Sequence, residues 1–459
     1  MKRSIFRVTA AALAFLLPAG LATVAPASAG TPVDQLSTDN YVAPGKIVAK
    51  DADVYNEAAN QEFVNSGWVK KLRAFQDLTR TVNYDANGNV IPAESDQEPA
   101  ETKTFNAFDN VHVYTVYSPS MDREVPVAVI QPWDKEKRDN APTQYLLNGA
   151  DGGEGSANWI VQTDVVEYYG GNPFSDLYDK LPYGPKGTPA TVGNGIGANI
   201  VIPMAGAFSY YSDWVNEEPA LGGKQMWETF VTAELPQAIE PALNANGKRG
   251  IAGLSMSGTS TLNFAQHHPG RYDTIGSFSG CAATTSPLPA SFIDITLNRG
   301  NTSMQTMWGG RDSETARYND ALLNAEKLRG QDNIYVSNGT GWAGPYDIPS
   351  ARRVNGNFLT SGKVMVEGGA IEAATNTCTR DLRNRTEALG IPVHYNFRPQ
   401  GTHQWGYWES DMRAYWPVMQ AGLGTVGFDK PESDPYLDGA AGNPTGSLPT
   451  IPFAGALNN

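Results

Sequence analysis

The chain has 459 residues, a formal net charge of −14 from 48 acidic and 34 basic residues, two Cys and five His. Hydrophobic residues make up 41% and charged residues 18%, which excludes a disordered or collagen-like chain and leaves material for a large core. The acidic balance argues against a nucleic-acid partner, which needs a positive footprint.

At about 150 residues per domain the length allows three domains, and one large α/β domain with attached extras fits equally well. The first 29 residues are expected to lie outside the fold. Lys2, Arg3 and Arg7 make a basic start, Val8 to Val24 is mostly apolar, and Ala27-Ser28-Ala29 closes the segment as an A-x-A cleavage signal. An uncleaved anchor is the alternative, but the apolar stretch is short for a bilayer and Pro18 interrupts it. Cleavage after Ala29 leaves 430 of 459 residues, and the loss of three positive charges moves −14 to −17. No later run is apolar enough to span a bilayer, so the mature chain is expected to be secreted or peripheral to the cell envelope. In that oxidising setting Cys281 and Cys378 are expected to pair rather than stay free thiols. Two Cys and few His speak against structural zinc, and neither a metal nor an organic cofactor is implied.

Residues 30–105 read as an accessory segment. Val64, Trp68, Leu72 and Phe75 recur at helical spacing and predict a helix over about 56–80. Asn87-Gly88 marks a turn, and an acidic, Pro-containing stretch runs from Ala93 to Glu101. Strand signals follow at Val111–Tyr117, Val125–Ile130, Tyr145–Leu147, Asn199–Met204, Gly250–Leu254, Thr274–Ser279, Asn333–Ser337 and Val393–Phe397. Helical stretches such as Trp227–Leu243 and Thr259–His267 separate them. This alternation predicts an α/β fold over 106–425, a mostly parallel central sheet with helices on both faces. Residues 426–459 carry Pro and Gly without periodicity and read as a flexible tail.

Gly253-Leu254-Ser255-Met256-Ser257-Gly258 lies between a short apolar strand and a helical run, the strand–turn–helix setting of a nucleophile elbow. Ser257 stands where the strict pattern has Gly. The motif gains weight only if a base and an acid follow in the order Ser, Asp/Glu, His. Elimination finds the base. His112 lies upstream in an early strand, and His394 is inside a strand. His267 and His268 end the helix that starts at the elbow, about 18 Å away at 1.5 Å per residue. Only His403, in Gln400-Gly401-Thr402-His403-Gln404-Trp405, follows a strand end, where open α/β sheets bind ligands. The acid stays open among Asp347, Glu367, Glu372, Asp381 and Glu387, with position slightly favouring Asp347. An oxyanion hole needs two amides: one from Met256, after the nucleophile, and one from the loop Leu146 to Gly153, with Ala150 as its donor.

Taken together, Tyr145-Leu-Leu-Asn-Gly149, Tyr211-Ser-Asp-Trp214, Trp227-Glu-Thr-Phe230, Glu234-Leu-Pro236, Gly253-Leu-Ser-Met256 and Gly401-Thr-His403 with Trp405 resemble the secreted mycolyltransferases of the antigen 85 type over about 110–425. The resemblance implies an α/β-hydrolase fold. It also implies transfer of a mycolyl group from trehalose monomycolate, through a Ser acyl-enzyme, to trehalose or another cell-wall sugar hydroxyl, with peripheral contact to a mycolate outer layer. Carried onto this chain, it implies Ser255 as nucleophile, His403 as base and Glu372 as acid, overriding the positional preference for Asp347. It places Ala150 and Met256 in the oxyanion hole, with Gln404 and Trp405 bordering the acyl and sugar site. Two positions depart from the family: Asp151 stands where an Arg is common, and Ala283 where an Asp is common, both at sugar-contacting positions. A Cys281–Cys378 bridge would tie the acid loop to the sheet. A secreted carboxylesterase with the same triad, or a non-catalytic envelope or matrix-binding protein, are the competing readings.

Overall fold

The apolar runs become strands: β1 Lys46–Lys50, β2 Thr79–Tyr84, β3 Glu101–Asn106, β4 Val111–Ser118, β5 Arg123–Ile130, β6 Thr143–Leu147, β7 Asn199–Pro203, β8 Arg249–Leu254, β9 Thr274–Phe278, β10 Ile334–Asn338 and β11 His394–Phe397. The structure, a computed structural model, describes residues 42–56, 66–91, 95–171, 195–351 and 353–425. The expected signal segment and tail lie outside these residues, as do 57–65 within the helix expected over about 56–80.

Nine strands form one sheet in the order β1-β4-β5-β7-β6-β8-β9-β10-β11, and β2 and β3 form a separate hairpin. β1, β4, β5 and β7 pair antiparallel in succession, while β7 to β11 are joined by parallel pairings alone. Parallel neighbours need long crossovers that cover the sheet, so β6, β7, β9 and β10 are buried along their whole length. Period-2 alternation sorts side chains between two cores. Leu146, Ala252 and Phe278 point into one with Trp159, Trp408 and Trp416. Tyr145, Leu147 and Ile251 point into the other with Phe230 and Leu235.

Five helices matter for the site: α1 Gly67–Gln76, α2 Met256–His267, α3 Pro287–Asn298, α4 Gly369–Leu389 and α5 Trp405–Leu423. Ser66 caps α1, its hydroxyl accepting from the Val69 amide at 3.5 Å, and the helix ends at Gln76, short of the expected 80, because β2 begins at Thr79. Its Trp68, Leu72 and Phe75 are buried in the same core as α5. The segment before residue 105 thus contributes an edge strand and a helix to the main body. The stretch expected as one helix over Trp227–Leu243 is broken by a π-helical turn at Phe230–Glu234. Pro236 has no N–H to offer Thr232 four residues back, and the Thr232 carbonyl accepts from Arg271 Nη1 at 2.6 Å instead. α2 starts at Met256, not Thr259, because Ser and Gly in its first turn read as a turn although they are helical. No described helix is long and apolar enough to cross a membrane.

Candidate active site

At the carboxyl end of β8 the chain turns sharply into α2. Ser255 sits on that turn with φ 56° and ψ −119°, a left-handed conformation that costs a non-Gly residue about 1–3 kcal/mol. Its amide donates to the Phe278 carbonyl at 2.8 Å, which pins the turn to β9. A Cβ on Gly253 would lie 2.5 Å from Ser257 Oγ, so no larger residue fits there. Ser257 is no mere substitute for Gly. Its hydroxyl accepts from the Leu254 amide at 3.0 Å and lies 3.1 Å from the Leu147 carbonyl, knitting the elbow to β6.

His403 follows β11, and its Nε2 is 2.7 Å from Ser255 Oγ. Its Nδ1 is 2.8 Å from Glu372 Oε2. Glu372 lies in the first turn of α4 with no exposed surface. Its other oxygen accepts from the Gly339 amide at 2.6 Å and the Ser279 hydroxyl at 2.8 Å, and Arg398 Nη2 lies 3.4 Å away. Arg398 is itself buried and also bonds both oxygens of buried Asp411. Burial alone would lower the Arg398 pKa, but Asp411 and Glu372 outweigh it and hold the guanidinium above its ordinary value. An ionised Glu372 accepts only, so Nδ1 carries the imidazole proton and Nε2 presents its lone pair to the Ser255 hydroxyl.

Asp347, the positional favourite for the acid, does not meet the His403 ring. One of its oxygens accepts from Thr402 Oγ1 at 2.6 Å and Gln404 Nε2 at 2.9 Å. The other accepts from Tyr407 OH and the Gly344 amide, both at 2.7 Å. It therefore clamps the residues on either side of His403. Glu367 pairs with Lys363 and Glu387 with Arg383 at the surface, and Asp381 is exposed. Gln404 donates to Asp347 and the Tyr346 carbonyl. Trp405 packs edge-on against Trp159 and Trp408, with ring centroids 5.5 and 5.3 Å apart. Trp408 in turn meets the His403 ring edge-on at 4.9 Å and donates to Ser279 at 3.0 Å.

The Leu146–Gly153 loop approaches the elbow closely. A Cβ on Gly149, the residue before Ala150, would stand 4.0 Å from Ser255 Cβ. Met256 opens α2, and its N–H has no intrahelical acceptor. Asp151, next to Ala150, is half-buried, and burial pushes its carboxyl pKa up. Ser255 and His403 face a cavity walled by Pro289, Phe292 and Ile293 of α3 and Ile371 and Ala374 of α4. Cys281 and Cys378 are joined in a disulfide whose Cα atoms are 5.0 Å apart. The bond links the end of β9 to α4 six residues after Glu372.

The remaining histidines serve elsewhere. His112 meets Asp51 at 2.8 Å, His267 and His268 share Glu228 at 2.8 and 3.0 Å, and burial pushes His394 down. Sequence reasoning missed Ser279 and Arg398, which hold buried Glu372, and Asp411, which holds Arg398. The available signal was a charged residue immediately after an apolar strand and another inside an aromatic-rich helix.

Residues 118–417 match the family described as "Putative esterase". Diacylglycerol acyltransferase/mycolyltransferase Ag85A of Mycobacterium ulcerans is 29% identical over 297 residues, covering 62% of this chain and 75% of that protein. The Mycobacterium tuberculosis protein of the same name is 27% identical over 355 residues, covering 74% and 89%. The crystal structure of Mycobacterium tuberculosis MPT51 (FbpC1) aligns with a TM-score of 0.48 at 20% identity, covering 67% of this chain and 96% of that one.

Proposed function

The chain belongs to this esterase family, and from that premise we propose that it is an acyltransferase of the cell envelope, moving a mycolyl group from trehalose monomycolate to trehalose or another cell-wall sugar hydroxyl. The names of the Ag85A relatives support acyl transfer. The observation that carries the reading is the unbroken line from Ser255 Oγ to His403 Nε2 at 2.7 Å and from His403 Nδ1 to Glu372 at 2.8 Å.

In the proposed reaction His403 takes the Ser255 proton as Oγ attacks the ester carbonyl. Glu372 holds the ring in the Nδ1–H tautomer and stabilises the imidazolium that forms. The Met256 and Ala150 amides receive the oxyanion; each such donor is worth about 10²–10³ in rate. Collapse breaks the ester bond, and His403 returns the proton to the departing trehalose oxygen. A second sugar hydroxyl, deprotonated by His403, then attacks the acyl-enzyme carbonyl; the bond between the acyl carbon and Ser255 Oγ breaks, and His403 returns the proton to Oγ. The apolar wall from α3 and α4 receives the start of the acyl chain and keeps water from the ester. Asp151 offers a carboxyl to sugar hydroxyls where the family commonly has an Arg. Export with cleavage after Ala29, and a catalytic region over 106–425 to which the preceding segment adds an edge strand and a helix, belong to the same reading.

Mass analysis after incubation with trehalose monomycolate tests it. Wild type is expected to carry an acyl adduct and to release dimycolate when trehalose is present; Ser255→Ala should do neither. Release of free mycolic acid alone would make the protein an esterase. Absence of both adduct and fluorophosphonate labelling at Ser255 would refute catalysis.

A further inference from the structure

Twelve described non-Gly residues have a positive φ, and seven of them are Asp or Asn, which tolerate the left-handed region. The other five are Ser255, Ser279, Phe208, Tyr210 and Tyr211. Ser255 stands on the elbow and Ser279 holds Glu372. The remaining three crowd into one short segment after β7, at φ 57°, 52° and 46°. Such a run is kept only where its surroundings over-determine it, and it marks a place where backbone direction matters.

The segment's bonds run to the two residues proposed as oxyanion donors. The Phe208 amide donates to the Ala150 carbonyl at 2.7 Å. On the other side of Ala150, the Gly149 carbonyl accepts from the Gly152 amide at 3.0 Å. The Gly149 carbonyl and the Ala150 N–H belong to one planar peptide and point opposite ways, so both peptides flanking Ala150 are pinned. The Tyr210 amide meets Met256 Sδ at 3.3 Å, and the Tyr210 carbonyl accepts from the Ser260 hydroxyl, one turn further along α2. Glu154 Oε1 accepts from the Gly206 and Ala207 amides at 3.1 and 3.2 Å, and the Glu154 amide donates to the Asp151 carbonyl at 3.0 Å. A Cβ on Gly152 would lie 2.3 Å from the Ala207 nitrogen, so the loop and the segment touch backbone to backbone.

Ala150 and Met256 come from separate parts of the chain, and a tetrahedral oxyanion needs both N–H groups at fixed positions. We infer that Gly206–Tyr211 is the template that sets their separation, with Glu154 and Ser260 as its positioning residues. Glu154 grips the segment from the Ala150 side and Ser260 from the Met256 side. Neither lines the cavity at Ser255. A loosened segment leaves the line from Ser255 through His403 to Glu372 intact and lets the two amides spread. The loss falls on the transition state, where the oxygen carries charge, and spares the bound ester. This role holds only if Ala150 and Met256 receive the oxyanion, as in the acyl-transfer reading.

The test compares a p-nitrophenyl ester with its thiono analogue, whose sulfur is a weak acceptor and gains little from the two amides. Glu154→Ala and Ser260→Ala should each lower kcat for the oxygen ester by about tenfold or more with KM within about twofold, and the preference for oxygen over sulfur should fall by the same factor. The double variant should lose less than the product of the two, because both residues hold one segment. Glu154→Gln keeps the accepting oxygen and should recover most of the loss. Fluorophosphonate labelling of wild type at Ser255 is the control: without it the catalytic reading fails, and the template with it. With wild type labelled, unchanged kcat in both single variants, or equal slowing of the oxygen and thiono esters, would overturn the template alone.

Discussion

Replacing Glu372 by Gln changes one atom, and the structure determines which way the new amide points. The Oε1 position faces the Gly339 N–H at 2.6 Å and an Arg398 N–H at 3.4 Å, donors that cannot become acceptors. Turning the amide NH₂ toward them would leave two buried donors unpaired, at about 1–3 kcal/mol each. The amide oxygen therefore stays at that position, and the NH₂ faces His403 Nδ1. Two donors cannot share that contact, so the imidazole must move its proton to Nε2. The nitrogen facing Ser255 then carries a hydrogen and cannot accept the serine proton. In a serine triad this tautomer error lowers kcat by about 10⁴, or about 5 kcal/mol in the barrier. Hydrolysis of a p-nitrophenyl ester and the rate of fluorophosphonate labelling should both fall by that factor with KM nearly unchanged. Imidazole ¹⁵N shifts should report the proton on Nε2. Asp347→Asn serves as the contrast, since it loosens the loop around His403 without touching the ring. It should lower stability and leave kcat within about tenfold. Activity of Glu372→Gln within about tenfold of wild type, or equal losses in the two variants, would refute the reasoning.

Ser255→Gly removes backbone strain of about 1–3 kcal/mol and adds about 0.5–1 kcal/mol of unfolded-state entropy, so urea unfolding should show a net gain near 1 kcal/mol; a less stable variant would mean the elbow is unstrained. The disulfide closes a loop with a sequence separation of 97. Replacing both cysteines by Ser should cost about 4–5 kcal/mol by denaturant titration, and a loss below about 1 kcal/mol would contradict loop-closure entropy as its source. Burial, then the neighbouring Glu228, push Asp213 up to about 7. A carboxyl whose folded pKa is raised contributes stability that is complete below its unfolded value near 3.9 and lost as pH rises through about 7. Asp213→Asn should therefore melt above wild type at pH 8, with the difference shrinking toward pH 4; a constant difference across that range would sink the assignment.

Much of the sheet could be read from local pattern. β4, β5, β8 and β10 fall within a residue or two of their expected bounds, because apolar runs between turn residues carry the signal by themselves. The elbow was legible for the same reason, and His403 because so few histidines compete. The acid was not. Glu372 and Asp347 are both buried carboxylates between β10 and His403, and only the fold decides which one meets Nδ1 and which one clamps the loop. The resemblance, not the spacing, separated them. β1 was missed because five residues with alternating exposure at a sheet edge carry too little apolar content to announce a strand. Arg398 and Asp411 were passed over because each alone reads as a solvated surface charge.

That last pair constrains how the chain can change over generations. Arg398 spans Asp411 and Glu372. A substitution that removes Arg398 strands a buried carboxylate at about 3–5 kcal/mol, against about 5–15 kcal/mol for a typical protein's whole stability. Removing Asp411 first strands the guanidinium at a similar cost. The double replacement by apolar residues of matching volume can be nearly neutral, yet every route to it passes through a destabilised single mutant. Lineages holding the pair are thus expected to keep it whether or not it aids the chemistry, and the two positions should be exchanged together or left alone.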